Sequence, residues 1–459
     1  MEANAEGYNN SRTSSISFVP FENESYLNAK EESQRGDLYS KDSECNISTG
    51  VETNDFDLIK KFSFISLNKK IGQHKGIAKK IRELKDGLFV SDGQNEIIKY
   101  DKNFNQEKIE FKKEYYYSFF PCKNEVIISL NTRLTSLSKP STIISLIQHC
   151  RNLFELKSGN YIICTDNGIY YCSDILNHNL TNNNCYIIDK KAYRGGIKIN
   201  YDLIAITSNH ILSNGENKLI FYSSNSQKFL KEIEIKDFSF TISENNCSIM
   251  GIPEHENSKL LLAACKKYSK GDNGILLIIL QFNKENNDIK RYFKFYDTKN
   301  FEVYCFCPIF VKGNKENKEI KNKKIENDEI ENNEIKNEKI FIFEDYVQKY
   351  ETEYFLVGGF DLNKNEGLIK LYKVIYFDEI EKTEIKYIQD IILEKNKGKY
   401  DLECFKGFKG PISCIIQSSE TEILVTCYDG NVYLFSQPCL ECLKSCKENY
   451  DKDFAIQEL

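Results

Sequence analysis

The chain has 459 residues, a formal net charge of −6, and 41% hydrophobic and 13% aromatic residues. That length buries a large core, and the apolar share suits a globular protein rather than a disordered one. The acidic balance leaves no basic surplus to displace phosphate counterions, so a nucleic-acid binder is not expected.

Residues 1–55, rich in Ser, Asn and Glu, read as a disordered tail. Its start, "MEANAEGYNNSRTSSISFVPFENESYLNAK", has neither a basic n-region nor an apolar h-region, so no secretory signal is expected. No apolar run reaches the roughly 18 residues of a membrane span. A cytoplasmic chain is expected, with the nucleus as the alternative. "KFSFISL", Lys61–Leu67, is then a lone strand signal.

Seven β-hairpins follow, each an apolar run, a polar turn and a second apolar run. In order they are "GLFVSDGQNEIIKYD", "EVIISLNTRLTSLS", "YIICTDNGIYYCSD", "HILSNGENKLIFYS", "KLLLAACKKYSKGDNGILLIILQF", "YFLVGGFDLNKNEGLIKLYKV" and "EILVTCYDGNVYLFS". The stretch from Ser91 to Asp101 repeats in kind from Ser213 to Ser223. The first four hairpins recur about every 40 residues, the period of a four-stranded propeller blade. "KGNKENKEIKNKKIENDEIENNEIKNEKI", Lys312–Ile340, is nearly all Lys, Glu, Asn and Ile and reads as a disordered insert.

The predicted fold is therefore all-β, a seven-bladed propeller of four-stranded antiparallel blades over residues 56–438. After Ser436 no strand-like run remains, so the seventh blade lacks its outer strand. Placing the strand near Phe62–Leu67 there pairs both free edges and closes the ring. Residues 439–459 read as a tail or short helix. "CLECLKSC" in it sets Cys439, Cys442 and Cys446 at half a zinc-site spacing. A helix packing Leu440 and Leu443 is the plainer reading, and neither metal nor cofactor is expected. Most other cysteines, such as Cys164, Cys265, Cys414 and Cys427, sit singly in apolar runs and read as buried thiols.

"GFKGPISCIIQSSETEILVTCYDGNVYLFS" resembles a unit of the WD-repeat β-propellers. In that family a Gly-His pair opens the repeat, an Asp sits in the turn between the inner strands, and Trp-Asp ends it. Gly407 matches the Gly, Phe408 stands in the His place, Asp429 matches the turn Asp, and Phe435-Ser436 replaces Trp-Asp. In the first repeat Gly72-Gln73 takes the Gly-His place and Tyr100-Asp101 the Trp-Asp place. With no Gly-His pair and no Trp, the family's buried His–Ser–Asp–Trp network cannot form as such, while Tyr and Phe can fill the Trp's packing role. His74, in "GQHKG", is expected to face solvent.

The resemblance implies that the turns between inner strands and the loops opening each repeat share one face. Candidate partner-binding residues there are Asp92, Gln94, Asn95, Arg133, Arg194, Asn214, Glu216, Phe408, Lys409 and Asp429. Asn, Asp and Gly also have a plain reason to occupy tight turns. Phe408 is either a buried replacement for the His or an exposed anchor. The five His form no metal or hydrolase motif. The expected function is a non-catalytic protein-interaction scaffold, a monomeric propeller within a complex. A phosphoinositide-binding propeller using Arg194 in "AYRGGIKI", or an enzyme with acidic residues at the channel mouth, are the alternatives.

Overall fold

The computed structural model describes residues 65–436, apart from short stretches between strands and the longer stretches 310–352 and 392–407. The expected tails, Cys439, Cys442, Cys446 and the insert 312–340 lie outside the described residues. Alternating apolar strands with Gly, Asn and Asp turns build seven antiparallel sheets in chain order.

The first strand, β1 (Ser66–Gln73), precedes blade one, which holds β2 (Lys80–Glu83), β3 (Phe89–Asp92), β4 (Glu96–Tyr100) and β5 (Gln106–Glu110). Blade two holds β6 (Tyr116–Cys122), β7 (Glu125–Leu130), β8 (Arg133–Ser136) and β9 (Ile143–Ser145). Blade three holds β10 (Cys150–Glu155), β11 (Tyr161–Thr165), β12 (Gly168–Cys172) and β13 (Cys185–Asp189). Blade four holds β14 (Tyr193–Asn200), β15 (Leu203–Ser208), β16 (Lys218–Ser223) and β17 (Lys228–Glu234). In blade five the inner edge is split: β18 (Phe238–Phe240) and β19 (Cys247–Gly251) both pair with β20 (Ser258–Lys267), followed by β21 (Asn273–Phe282) and β22 (Ile289–Lys299). Blade six holds β23 (Phe301–Ile309), β24 (Tyr354–Asp361), β25 (Glu366–Ile375) and β26 (Glu384–Ile391). Blade seven holds β27 (Ile412–Gln417), β28 (Glu422–Cys427) and β29 (Asn431–Ser436), and β1 completes it. The connection between β25 and β26 contains a single short 3-10 turn, Ile380–Lys382.

Each seam between consecutive blades holds one apolar cluster, and the set closes on itself. Blades one and two share Val90, Ile97, Tyr116 and Phe119; two and three share Ile127, Leu134, Leu153 and Ile163; three and four share Ile162, Ile169, Ile204 and Tyr222. Leu219, Phe221, Leu261 and Ile278 fill the fourth seam, and Leu262, Leu277, Phe355 and Val357 the fifth. Leu356, Leu371, Ile415 and Phe435 join blades six and seven. Ile81, Ile98, Leu424 and Leu434 join seven back to one. Alternation along a strand makes this possible, because successive side chains point into opposite seams. In β28, for example, Ile423 and Val425 face blade six while Leu424 faces blade one.

The ring closes as expected, but the closing strand lies further along the chain. β1 pairs antiparallel with β29, from Ser66 opposite Ser436 to Gln73 opposite Asn431. Only the end of "KFSFISL" takes part, and Lys61–Phe64 lie outside the described residues. Two register shifts, between Leu67 and Lys69 and between Lys70 and Gly72, break the alternation of β1. The strand therefore shows little periodicity in sequence, although Ile71 is buried.

The two copies that share a pattern, 122 residues apart, are β4 and β16, the third strands of blades one and four. The fourth hairpin is placed differently from the expectation. Its first arm is "LIAITS" in β15, and "HILS" lies outside the described residues. In "AYRGGIKI", Arg194, Gly195 and Gly196 all belong to β14. A Cβ on Gly196 would stand 2.9 Å from the Phe154 ring and 2.9 Å from the Ala205 carbonyl oxygen, so the glycine serves close packing between blades three and four.

Cys164, Cys265, Cys414 and Cys427 are buried free thiols, as expected. Cys172 is an exception to the expectation of core thiols: it is disulfide-bonded. Its register partner across the β12–β13 pair is Cys185.

Candidate functional site

A continuous stretch of the loop face spans blades six, seven and one. It is built from the loop before β2, the β3–β4 turn, the β28–β29 turn, the loop before β27 and the β24–β25 turn.

His74 organises the blade-one part. It is 3% exposed, contrary to the expected solvent-facing position. Its Nε2 lies 2.8 Å from Ser91 Oγ, whose oxygen lies 3.1 Å from the Tyr100 hydroxyl, and its Nδ1 lies 3.0 Å from Glu96 Oε1. Burial holds the imidazole below its ordinary pKa of 6.5, against the opposing pull of Glu96. Burial raises the Glu96 pKa, but the Lys108 ammonium and the Lys75 backbone N–H outweigh it and hold Glu96 ionised. A carboxylate only accepts, so Nδ1 carries the proton and Nε2 of the neutral ring accepts from Ser91. Ser91, having donated, accepts from Tyr100. The order of protons is thus Tyr100 to Ser91 to His74 to Glu96.

The His–Ser–Asp–Trp set does not form as such, as expected, but a variant of it with Glu and Tyr does. His74 sits one residue beyond the Gly-Gln pair aligned by sequence, Tyr100 replaces the Trp, and Glu96 supplies the carboxylate. Two glycines make room. A Cβ on Gly72 would lie 2.3 Å from the Tyr100 hydroxyl, and one on Gly93 would lie 2.5 Å from His74 Nδ1. Glu96 also pins the outer part of the loop, accepting from the Lys75 N–H at 2.8 Å and from Lys108 Nζ at 2.7 Å.

Blade seven uses different residues for the same end. Asp429 Oδ1 accepts from the Asn431 N–H at 2.9 Å and Oδ2 from the Tyr433 hydroxyl at 3.0 Å. Gly430, at φ 85°, turns the chain where a side chain would be strained. Phe408 fills the place of the His. It is 1% exposed and meets Tyr433 edge-on at 5.2 Å and Phe435 at 6.1 Å. Backbone bonds then weld the turns into one rim: Gly367 N–H to Phe408 O at 2.8 Å, His74 N–H to Gly430 O at 2.8 Å, and Ala78 N–H to Cys427 O at 3.3 Å.

The candidates separate accordingly. Gln94, Asn95 and Lys409 are exposed on this rim. Phe408 is core, so it is not an accessible anchor. Asp92 is also buried, at 1% exposure, in the seam towards blade two, where its Oδ2 accepts from the Tyr116 hydroxyl at 3.1 Å and its Oδ1 has no hydrogen-bond partner among the described residues. Burial raises its pKa, against Lys80, Lys79, the Tyr116 bond and Arg82. Asp429 is half-buried with both oxygens committed to the turn. Arg133 is half-buried at the start of β8, and Arg194 lies on β14. Asn214 and Glu216 lie outside the described residues.

Sequence reasoning missed the apolar tips. Tyr428 is 39% exposed, Ile77 38% and Leu362 48%, all on this rim. Tyr304, at the start of blade six, meets Tyr428 edge-on at 5.8 Å. The available signal was an apolar residue falling outside the strand alternation, as in "KGIAKK" and "CYDGNV". Among the described residues no group of three or more His, Cys, Asp or Glu is arranged to hold a metal ion. Among them, too, no helix is long and apolar enough to cross a membrane.

No family model matches the chain, and no curated protein matches it in sequence. Solved structures similar to it include the WD40 β-propeller domain of Doa1, at 8% identity and a TM-score of 0.42, covering 82% of this chain and 98% of that one. The β-propeller domain of Nup133 from Vanderwaltozyma polyspora is similar at 12% identity and a TM-score of 0.41, over 78% and 93%. Streptogramin B lyase is similar at 11% identity and a TM-score of 0.39, over 81% and 97%.

Proposed function

We propose that this chain is a non-catalytic interaction scaffold of the cytoplasm or nucleus, which presents the loop rim of blades six, seven and one to partner proteins as a single propeller within a larger complex. One observation carries the reading. The rim turns are fixed from below by the His74–Ser91–Tyr100 chain and the Asp429–Tyr433 bond and from the side by backbone bonds between blades, yet their tips bear exposed apolar side chains. Polar groups consumed in holding the turns and apolar groups left in solvent are what a preorganised docking surface requires.

The test is affinity purification with mass spectrometry, comparing wild type with a Gln94→Ala, Asn95→Gly, Lys409→Ala, Tyr428→Ala variant that keeps the wild-type melting temperature. The variant is expected to lose a defined set of partners. An unchanged partner set contradicts the reading, as does metal-dependent or hydrolytic turnover by the purified protein.

A further inference from the structure

Residues 74–79 carry the chain from β1, which completes blade seven, to β2, the inner strand of blade one. The start of this crossover is held between the two blades. The His74 N–H donates to Gly430 O at 2.8 Å, and a Cβ on Gly430 would stand 2.4 Å from Gly76 O and 2.9 Å from His74 O. On the other side the His74 ring enters blade one, where Glu96 accepts from its Nδ1, from the Lys75 N–H and from Lys108 Nζ. One imidazole therefore seats the crossover at the point where the ring closes.

That seat suits the neutral ring. Tyr100 donates to Ser91, Ser91 to Nε2 and Nδ1 to Glu96, so every proton of the chain has an acceptor. A second ring proton turns Nε2 into a donor facing Ser91 Oγ at 2.8 Å. Ser91 must then turn its own hydrogen away, and either that hydrogen or the one on Tyr100 is left without an acceptor. Ser91 is fully buried and Tyr100 is 1% exposed, so the orphaned donor lies out of reach of water. Charge on the surrounding elements does not reverse this. Glu96 on β4 draws a proton to the ring, Lys108 on β5 opposes it, and burial outweighs Glu96. The Lys75 ammonium points outward to Glu110 at 2.6 Å, and Asp92 on β3 faces Tyr116. In the blade-seven turn, burial keeps the Tyr428 phenol neutral, and the Asp429 carboxylate is held by the Asn431 N–H and the Tyr433 hydroxyl.

We infer that residues 74–76 form an acid-released latch on the ring closure: the neutral His74 ring seats them on blade one and on the Gly430 turn, and protonation of the ring frees them. Once released, the imidazolium is hydrated and the hydroxyls of Ser91 and Tyr100 gain water as a partner, so acid favours the open crossover. Ala78 is held separately, its N–H by Cys427 O at 3.3 Å and its carbonyl by the Ser413 hydroxyl at 2.7 Å, so the opening stops there and the blades stay joined. Ile77 stands at the edge of the latch and Tyr428 just before Gly430, so the rim loosens there in acid, whatever it binds.

Hydrogen–deuterium exchange of the full chain, read by mass spectrometry on peptides covering residues 72–80, tests the latch between about pH 7.5 and 5.5. After correction for the intrinsic exchange rate, protection there is expected to fall by up to about tenfold, the limit for one ordinary histidine over that range. The peptide containing Gly367, whose N–H bonds Phe408 O across blades six and seven, is expected to change less than about twofold. His74→Gln cannot take up a proton and is expected to lose the pH response. If that variant melts below wild type, the imidazole nitrogen resonances of the wild-type protein carry the test: the neutral His74 signal, protonated on Nδ1, is expected to vanish in step with the loss of protection. A fall at residues 72–80 no larger than that at Gly367, a pH response retained in His74→Gln, or a His74 imidazolium that forms with protection intact would each overturn the proposal.

Discussion

Tyr100 standing in for a Trp depends on Gly72, and a double-mutant cycle measures that dependence. In Gly72→Ala the new methyl lies 2.3 Å from the Tyr100 hydroxyl oxygen and 3.1 Å from two of its ring carbons. Overpacking of this kind costs about 1–3 kcal/mol. Tyr100→Phe removes the hydroxyl that donates to Ser91 at 3.1 Å, a loss of about 1 kcal/mol. The phenylalanine also removes the atom in hardest contact with the methyl, and leaves contacts that a shift of a few tenths of an ångström relieves. The double variant should therefore be more stable than the sum of the two losses predicts, by about 1 kcal/mol. Urea unfolding of the four proteins, followed by far-UV circular dichroism with equal slopes required, reads the coupling. Additivity within about 0.5 kcal/mol would refute the claim that the glycine exists to admit the tyrosine.

Phe408→Ala is expected to lower stability by about 3–5 kcal/mol in the same assay, because a fully buried ring between blades six and seven is deleted; a loss below about 1 kcal/mol would place the ring in solvent instead. His74 is held below its ordinary pKa, so on acidification the unfolded chain takes up a proton before the folded one. Its contribution is full above pH 6.5 and declines as the pH falls through that value, and Glu96, also held low, adds a loss in the same direction at lower pH. His74→Gln should flatten the first part of that decline, which the pH dependence of the urea midpoint checks. Asp92 behaves oppositely: its pKa is raised from 3.8, so its contribution is present below that value and lost as the pH rises through the folded one. Asp92→Asn should gain on wild type between acid and neutral pH. Cys172 should resist alkylation in the unfolded, unreduced protein and become reactive only after reduction, as peptide mass spectrometry reads directly.

The seven-fold count was legible because each blade's middle strands are buried on both faces. Runs such as "EILVTC" and "NVYLFS" carry apolar side chains into two seams at once and are bounded by residues that accept tight turns. β1 was only partly legible, since it is an outer strand interrupted by two register shifts. The first arm of the fourth hairpin was misplaced because "NGEN" reads as a tight two-strand turn, while β15 ends before it, at Ser208. The blade-one network was hidden for another reason. A one-residue offset moved His74 out of the pattern, and the groups that bury it, Gly93, Ser91 and the Gly430 carbonyl, come from other strands and from another blade. Candidate residues chosen for turn chemistry divided by what they hold. Asp429 spends both oxygens on its own turn, Asp92 lies buried in a seam, and the exposed aromatic beside Asp429 carries no turn chemistry to mark it.

If partners cover the loop face of the ring, lysine acylation footprinting by mass spectrometry reads it out residue by residue. The isolated protein is compared with the native complex recovered under gentle conditions. Lys409, Lys299 and Lys75 lie on the loop rim, whereas Lys102 and Lys382 lie in the connections on the opposite face, and all are exposed. Lys409 and Lys299 are expected to be protected in the complex, with Lys102 and Lys382 labelled as in the free protein. Protection of Lys102 and Lys382 with the rim lysines fully labelled would contradict it.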